Sequence, residues 1–77
     1  MLAEAGSYQA AADEAQRLIA RAPADATAYT LLGIAYQAMN NPEAAKQAFA
    51  SALQLNPADE NARQGLLQVE ARSTKGR

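Results

Sequence analysis

The side chains that could do chemistry are eight acids, three serines and three tyrosines, with no histidine and no cysteine among 77 residues. The acids are Glu4, Asp13, Glu14, Asp25, Glu43, Asp59, Glu60 and Glu70. General acid–base work would need two of them to converge on one substrate atom. Asp13 and Glu14 are adjacent, and neighbours in a helix diverge by about 100°. Asp25 and Asp59 each stand where a helix N-cap belongs, and Glu43 and Glu60 fall in first turns, where negative charge favours the helix dipole. Ser7, Ser51 and Ser73 have neither a histidine nor an evident lysine to act as base. Without His and Cys, the commonest metal ligands are missing, and no glycine loop of the phosphate-cradling kind occurs. Tyr29 and Tyr36 could stack on a ligand, but their helical spacing fits a core stripe better. The expectation is a protein that is not an enzyme, with no metal and no cofactor.

Elements come from a repeat at fixed spacing. Pro23-Ala24-Asp25 returns as Pro57-Ala58-Asp59, and 57 − 23 = 34. A period of this length marks helical hairpins that stack into a solenoid, a design that builds surfaces for other proteins. A first stub is predicted over Met1–Ala5, closed by Gly6 at positive φ and followed by Ser7 as an N-cap. Helices are predicted over 8–22, 26–39, 42–55 and 60–72, with 73–77 as a disordered tail. In the first of these, Ala11, Ala15, Leu18, Ile19 and Ala22 make an amphipathic stripe. Pro23 and Pro57 end helices because proline lacks an N–H and pushes the preceding residue out of the α region. Asn40 is expected in the left-handed region, Asn41 at the next N-cap, and Pro42 at the first helical position.

Residues 26–57 resemble the tetratricopeptide repeat. Tyr29, Leu32-Gly33 and Tyr36 sit on one helix, Ala45, Phe49 and Ala52 on the next, and Pro57 closes the unit. Tyr29 stands where that family more often has tryptophan. The resemblance implies an all-α fold, a short right-handed superhelical solenoid of antiparallel helix hairpins with about four helices, over residues 1–72. It covers one full repeat and two half repeats. In the last helix Arg63 and Glu70 stand where the repeat has aromatics and Leu67 where it has glycine, so that helix reads as a polar cap. Gly33 and Ala45 are small where the two helices of the hairpin approach most closely, so a larger side chain at Gly33 should overpack.

In this family the first helix of each hairpin lines the concave face. Carried over, the groove positions are Thr27, Thr30, Ile34, Gln37 and Ala38, then Asn61, Gln64, Gln68 and Arg72. These side chains are mostly neutral and hydrogen-bonding, with Ile34 as the apolar anchor. They suit an extended peptide or a partner helix. Some family members grip the C-terminal carboxylate of heat-shock chaperones with basic residues; here the matching positions hold Thr30, Leu31, Ile34, Asn61 and Gly65, so no such clamp is expected. The function expected is a protein–protein interaction module or scaffold. The incomplete first hairpin allows two accounts: a piece of a longer array, or a homo-oligomer in which another copy supplies the packing.

Composition narrows the partners further. Formal net charge is −1 with both signs interspersed, which offers no basic footprint for nucleic acid or anionic lipid. No apolar run reaches the ~18 residues needed to span a bilayer. A protein or peptide partner is expected, with no nucleic acid and no membrane insertion. A soluble chain is expected, cytoplasmic by preference, with a bacterial periplasm open if it belongs to a longer protein. The alanine-rich bias resembles bacterial sequences.

Overall fold

The computed structural model describes the backbone of residues 3–75 and the side chains of residues 7–71. Four helices follow one another: α1 (Ala3–Arg21), α2 (Ala26–Ala38), α3 (Pro42–Leu55) and α4 (Glu60–Lys75). No strand occurs among the described residues. Each helix packs on its sequence neighbour, and α2 also packs on α4. The result is a slab with principal extents of 38 × 32 × 16 Å.

Punctuation works as the local chemistry dictates. Arg21 and Leu55 are the last helical residues before the two proline turns. In each turn proline takes the second place, and the chain closes with a backbone bond, Asp25 N–H to the Ala22 carbonyl and Asp59 N–H to the Asn56 carbonyl, both 3.0 Å. The two aspartates then cap the following helices. Asp25 Oδ1 accepts from the amides of Thr27 (3.0 Å) and Ala28 (3.4 Å), and Asp59 Oδ1 from Ala62 (3.1 Å). Between α2 and α3 the chain makes a Schellman turn: Asn40 has φ 64°, its N–H reaches the Gln37 carbonyl at 3.0 Å, and Asn41 N–H reaches Tyr36 at 2.9 Å. Asn41 holds the N-cap position through its backbone carbonyl, which accepts from Ala45 at 3.1 Å; its side chain makes no cap bond.

Three expectations need correction. The stub over Met1–Ala5 and the break at Gly6-Ser7 do not form: α1 runs through both residues, and no glycine among the described residues has positive φ. An interior glycine weakens a helix by only about 1 kcal/mol, and the flanking alanines are the best helix formers. Met1 and Leu2 lie outside the described residues. At the other side, α4 continues past residue 72 to Lys75, so Ser73, Thr74 and Lys75, expected in a tail, are helical. No breaker precedes Gly76, and extending a formed helix is far easier than starting one; Gly76 and Arg77 lie outside the described residues. Ala22, assigned to the apolar stripe of the first helix, is exposed, and Ala12 is buried beside Ala15 instead.

Two buried clusters hold the slab. The first joins Ala12 and Ala15 of α1, Leu32 and Ala35 of α2 and Ala48 of α3, flanked by Ile19, Tyr36 and Met39. The second joins Ala45, Phe49 and Ala52 of α3 to Ala62 and Val69 of α4, flanked by Tyr29, Leu53 and Leu66. Small knobs let the helices approach closely, and Phe49 is the largest fully buried side chain. The Phe49 ring is held between two glycines. A Cβ built on Gly33 would lie 2.7 Å from it, and one on Gly65 2.3 Å from it. The Gly33 expectation thus holds, with the Phe49 ring as the group that would be struck.

A polar strut ties α2 to the cap of α4. The Thr30 hydroxyl, 5% exposed, lies 2.7 Å from Asp59 Oδ2 and 3.1 Å from the Ala26 carbonyl. Its one proton goes to the carboxylate, the stronger acceptor. Thr30→Val keeps the shape and removes that bond, and should lower stability by about 1–2 kcal/mol in urea titration. An unchanged midpoint would show that the strut adds nothing.

Candidate functional site

The expected groove residues come from α2 and α4, which lie side by side. Gln37 Nε2 donates to Gln68 Oε1 at 3.2 Å, a side-chain bond that joins the two helices along their lengths. On α2, Thr27 and Ala38 are exposed, Gln37 is half-buried, and Ile34 shows 48% of its surface. On α4, Asn61, Gln64 and Gln68 are exposed. The side chain of Arg72 lies outside the described residues. Because residues three and four apart share a helix face, Thr27, Ile34 and Ala38 form one stripe on α2, and Asn61, Gln64 and Gln68 another on α4.

Thr30 departs from that set. It is buried and its hydroxyl is committed to Asp59, so it braces the two helices and presents nothing to a partner. Leu31, which sequence reading did not assign to a binding role, is 36% exposed and lies one turn from both Thr27 and Ile34. It adds a second apolar group to the stripe. Its spacing, one turn from each of two groove positions, was the available signal.

The face carries no ionised side chain at Thr27, Leu31, Ile34, Gln37, Asn61, Gln64 or Gln68. Its polar groups are amides and a hydroxyl, which both donate and accept, the chemistry of a peptide backbone. Charges are spent elsewhere. Arg17 pairs with Glu14 at 3.5 Å and Arg63 with Glu60 at 3.3 Å, both on exposed surfaces one helical turn apart. Such pairs are worth a few tenths of a kcal/mol.

The signature residues are placed as packing groups. Gly33, Ala45, Phe49 and Ala52 are buried, Leu32 is 8% exposed, and Tyr29 and Tyr36 are half-buried against the second cluster. Pro57 is exposed in its turn. A cleft of about 250 Å³ opens between α2 and α3, floored by Tyr29, Leu32 and Tyr36 and walled by Ala44, Gln47, Ala48 and Ser51. It contains no acid or base. The Tyr36 hydroxyl is engaged, accepting from Gln16 Nε2 of α1 at 3.0 Å. No group of three or more acids able to hold a metal ion exists among the described residues. None of the described helices is long and apolar enough to cross a membrane.

Comparison with known proteins places the repeat. Residues 26–59 match the family model described as tetratricopeptide repeat, which spans α2, α3 and the turn that leads into α4. No curated protein and no solved structure matches the chain.

Proposed function

We propose that the chain is a non-catalytic interaction module, because its residues 26–59 match the tetratricopeptide-repeat family and such repeats in general mediate contacts between proteins. Its occupant is an extended peptide or a partner helix laid along the groove of α2 and α4. The observation that carries this reading is the Gln37–Gln68 bond at 3.2 Å, which aligns two neutral, amide-bearing stripes beside an exposed isoleucine.

The stripes favour a particular kind of hold. Gln64, Gln68 and Asn61 can pair with the main chain of a bound segment, and Ile34 with Leu31 can seat one apolar side chain. With no charge on the described groove side chains, attraction there is short-ranged, so affinity should change little between low and high salt.

Peptides selected from a random display library against the chain provide the probe. Ile34→Glu should weaken a selected peptide by about tenfold or more, since it buries an ion where an apolar contact stood. Gln64→Ala should weaken it several-fold, with circular dichroism unchanged for both variants. Amide shifts on α2 and α4 support the reading. Peptides whose shifts map to α1 and α3, with Ile34→Glu indifferent, would overturn it.

A further inference from the structure

We propose that the open face of α4 takes α1 of a second copy of this chain, so that copies associate head to tail. The volumes at one recurring position carry the inference. Phe49 of α3 is gripped between Gly33 of α2 and Gly65 of α4. One period earlier, Phe49 becomes Ala15 and Gly65 becomes Leu31. At the α3–α4 junction the bulk sits on the first helix; the equivalent positions of α1 and α2 reverse the sizes, with alanine on the first helix and leucine on the second. One period later, Gly33 becomes Leu67, which is 61% exposed, the highest among the exposed large apolar residues described.

Leu67 decides what can cover it. A helix that packs on α4 as α3 packs on α2 brings its Phe49-equivalent position onto Leu67. That position must be small, because the space Gly33 leaves for a ring is already filled. α1 carries Ala15 there, whereas α3 carries Phe49. In the second copy, Ala15 would then lie between its own Leu31 and the first copy's Leu67, the reverse of a ring between two glycines.

One charge pair agrees with the volumes. Ala12 and Ala48 share one buried cluster; shifted by one period, the pair becomes Lys46 of the first copy and Glu14 of the second. The cleft residues Tyr29 and Tyr36 become Arg63 and Glu70, and across the antiparallel helices Ser51 and Gln47 become Arg17 and Asp13 of the second copy, so Arg17 faces Arg63 and this part of the contact is repulsive. The two faces differ, so the contact is heterologous and can propagate. One helix against another is a small interface, so the association is weak.

Sedimentation velocity of the 77-residue chain from roughly 10 μM to about 1 mM tests this. The expected result is a weight-average mass that climbs past the dimer. Leu67→Lys, and separately Glu14→Lys, should each weaken association by roughly 10–100-fold with helicity unchanged by circular dichroism. Mixed in equal amounts, these two variants should form a heterodimer that grows no further, since each keeps the face the other lost. Lys46→Glu added to Glu14→Lys should restore association that Glu14→Lys alone removes. A wild-type monomer at the highest concentration overturns the proposal. So does self-pairing of the Glu14→Lys variant, which would mean α4 packing on α4, or a mixture that yields no heterodimer.

Discussion

Phe49→Ala should remove about 3–5 kcal/mol of stability. A 77-residue chain has about 4–12 kcal/mol in total, so this one substitution takes much of it. Phe49 is completely buried and belongs to the cluster that unites α3 with α4. Most of the buried groups around the ring have little with which to fill the space it leaves. Gly33 and Gly65 have no side chains to move, and Ala45, Ala52 and Ala62 have no rotamers to change. The loss thus lies toward the upper part of that range. Urea titration followed by circular dichroism measures it, and a loss under about 1 kcal/mol would mean that the slot closes after all.

Gly65→Ala should also destabilise, against the usual sign. In the interior of a helix this change ordinarily adds up to about 1 kcal/mol. Here the new methyl carbon would lie 2.3 Å from the tip of the Phe49 ring and within 2.7 Å of two other ring carbons. The ring is rigid and fully buried, and a step away from Gly65 carries it toward Gly33, whose own backbone already stands close. Overpacking of this kind costs about 1–3 kcal/mol, and in a domain of this size each kcal/mol moves the midpoint by about 4–8 °C. A net fall of about 5–20 °C in the thermal midpoint is expected. In a Phe49→Ala background the obstacle is gone, and Gly65→Ala should turn stabilising by about 1 kcal/mol. A rise in the wild-type background, or no change of sign between backgrounds, would refute the slot as the reason for glycine at 65.

What the sequence made legible follows from how local each signal is. Pro23, Asp25, Asn40, Pro42, Pro57 and Asp59 act on backbone groups within four residues, so the turns and the starts of α2, α3 and α4 could be read directly. Gly33 could be read because it falls on the family register. Gly65 could not: the register pointed two residues on, to Leu67, and the reason for Gly65 is a ring on another helix. Thr30 was misassigned for the same kind of reason, since its partner Asp59 lies 29 residues away. Gly6-Ser7 carried a true stop signal that was too weak to break a helix of alanines. The exposed stripe of Ile34, Asn61, Gln64 and Gln68 was legible only through the resemblance, because nothing in hydrophobic spacing separates one solvent-facing side of a helix from another.

The packing order has a consequence for how the polypeptide matures. α1 meets α2, α2 meets α3, α3 meets α4, and the longest step is from α2 to α4. No partner has to wait for a distant stretch to be made. During synthesis at the ribosome, each helix finds its predecessor already waiting as it leaves the exit tunnel, and search times in the microsecond-to-millisecond range are far shorter than the roughly 0.1 s taken to add a residue. Growth of the nascent chain and acquisition of structure can therefore keep pace, and the interval in which apolar surface is offered to chaperones is short.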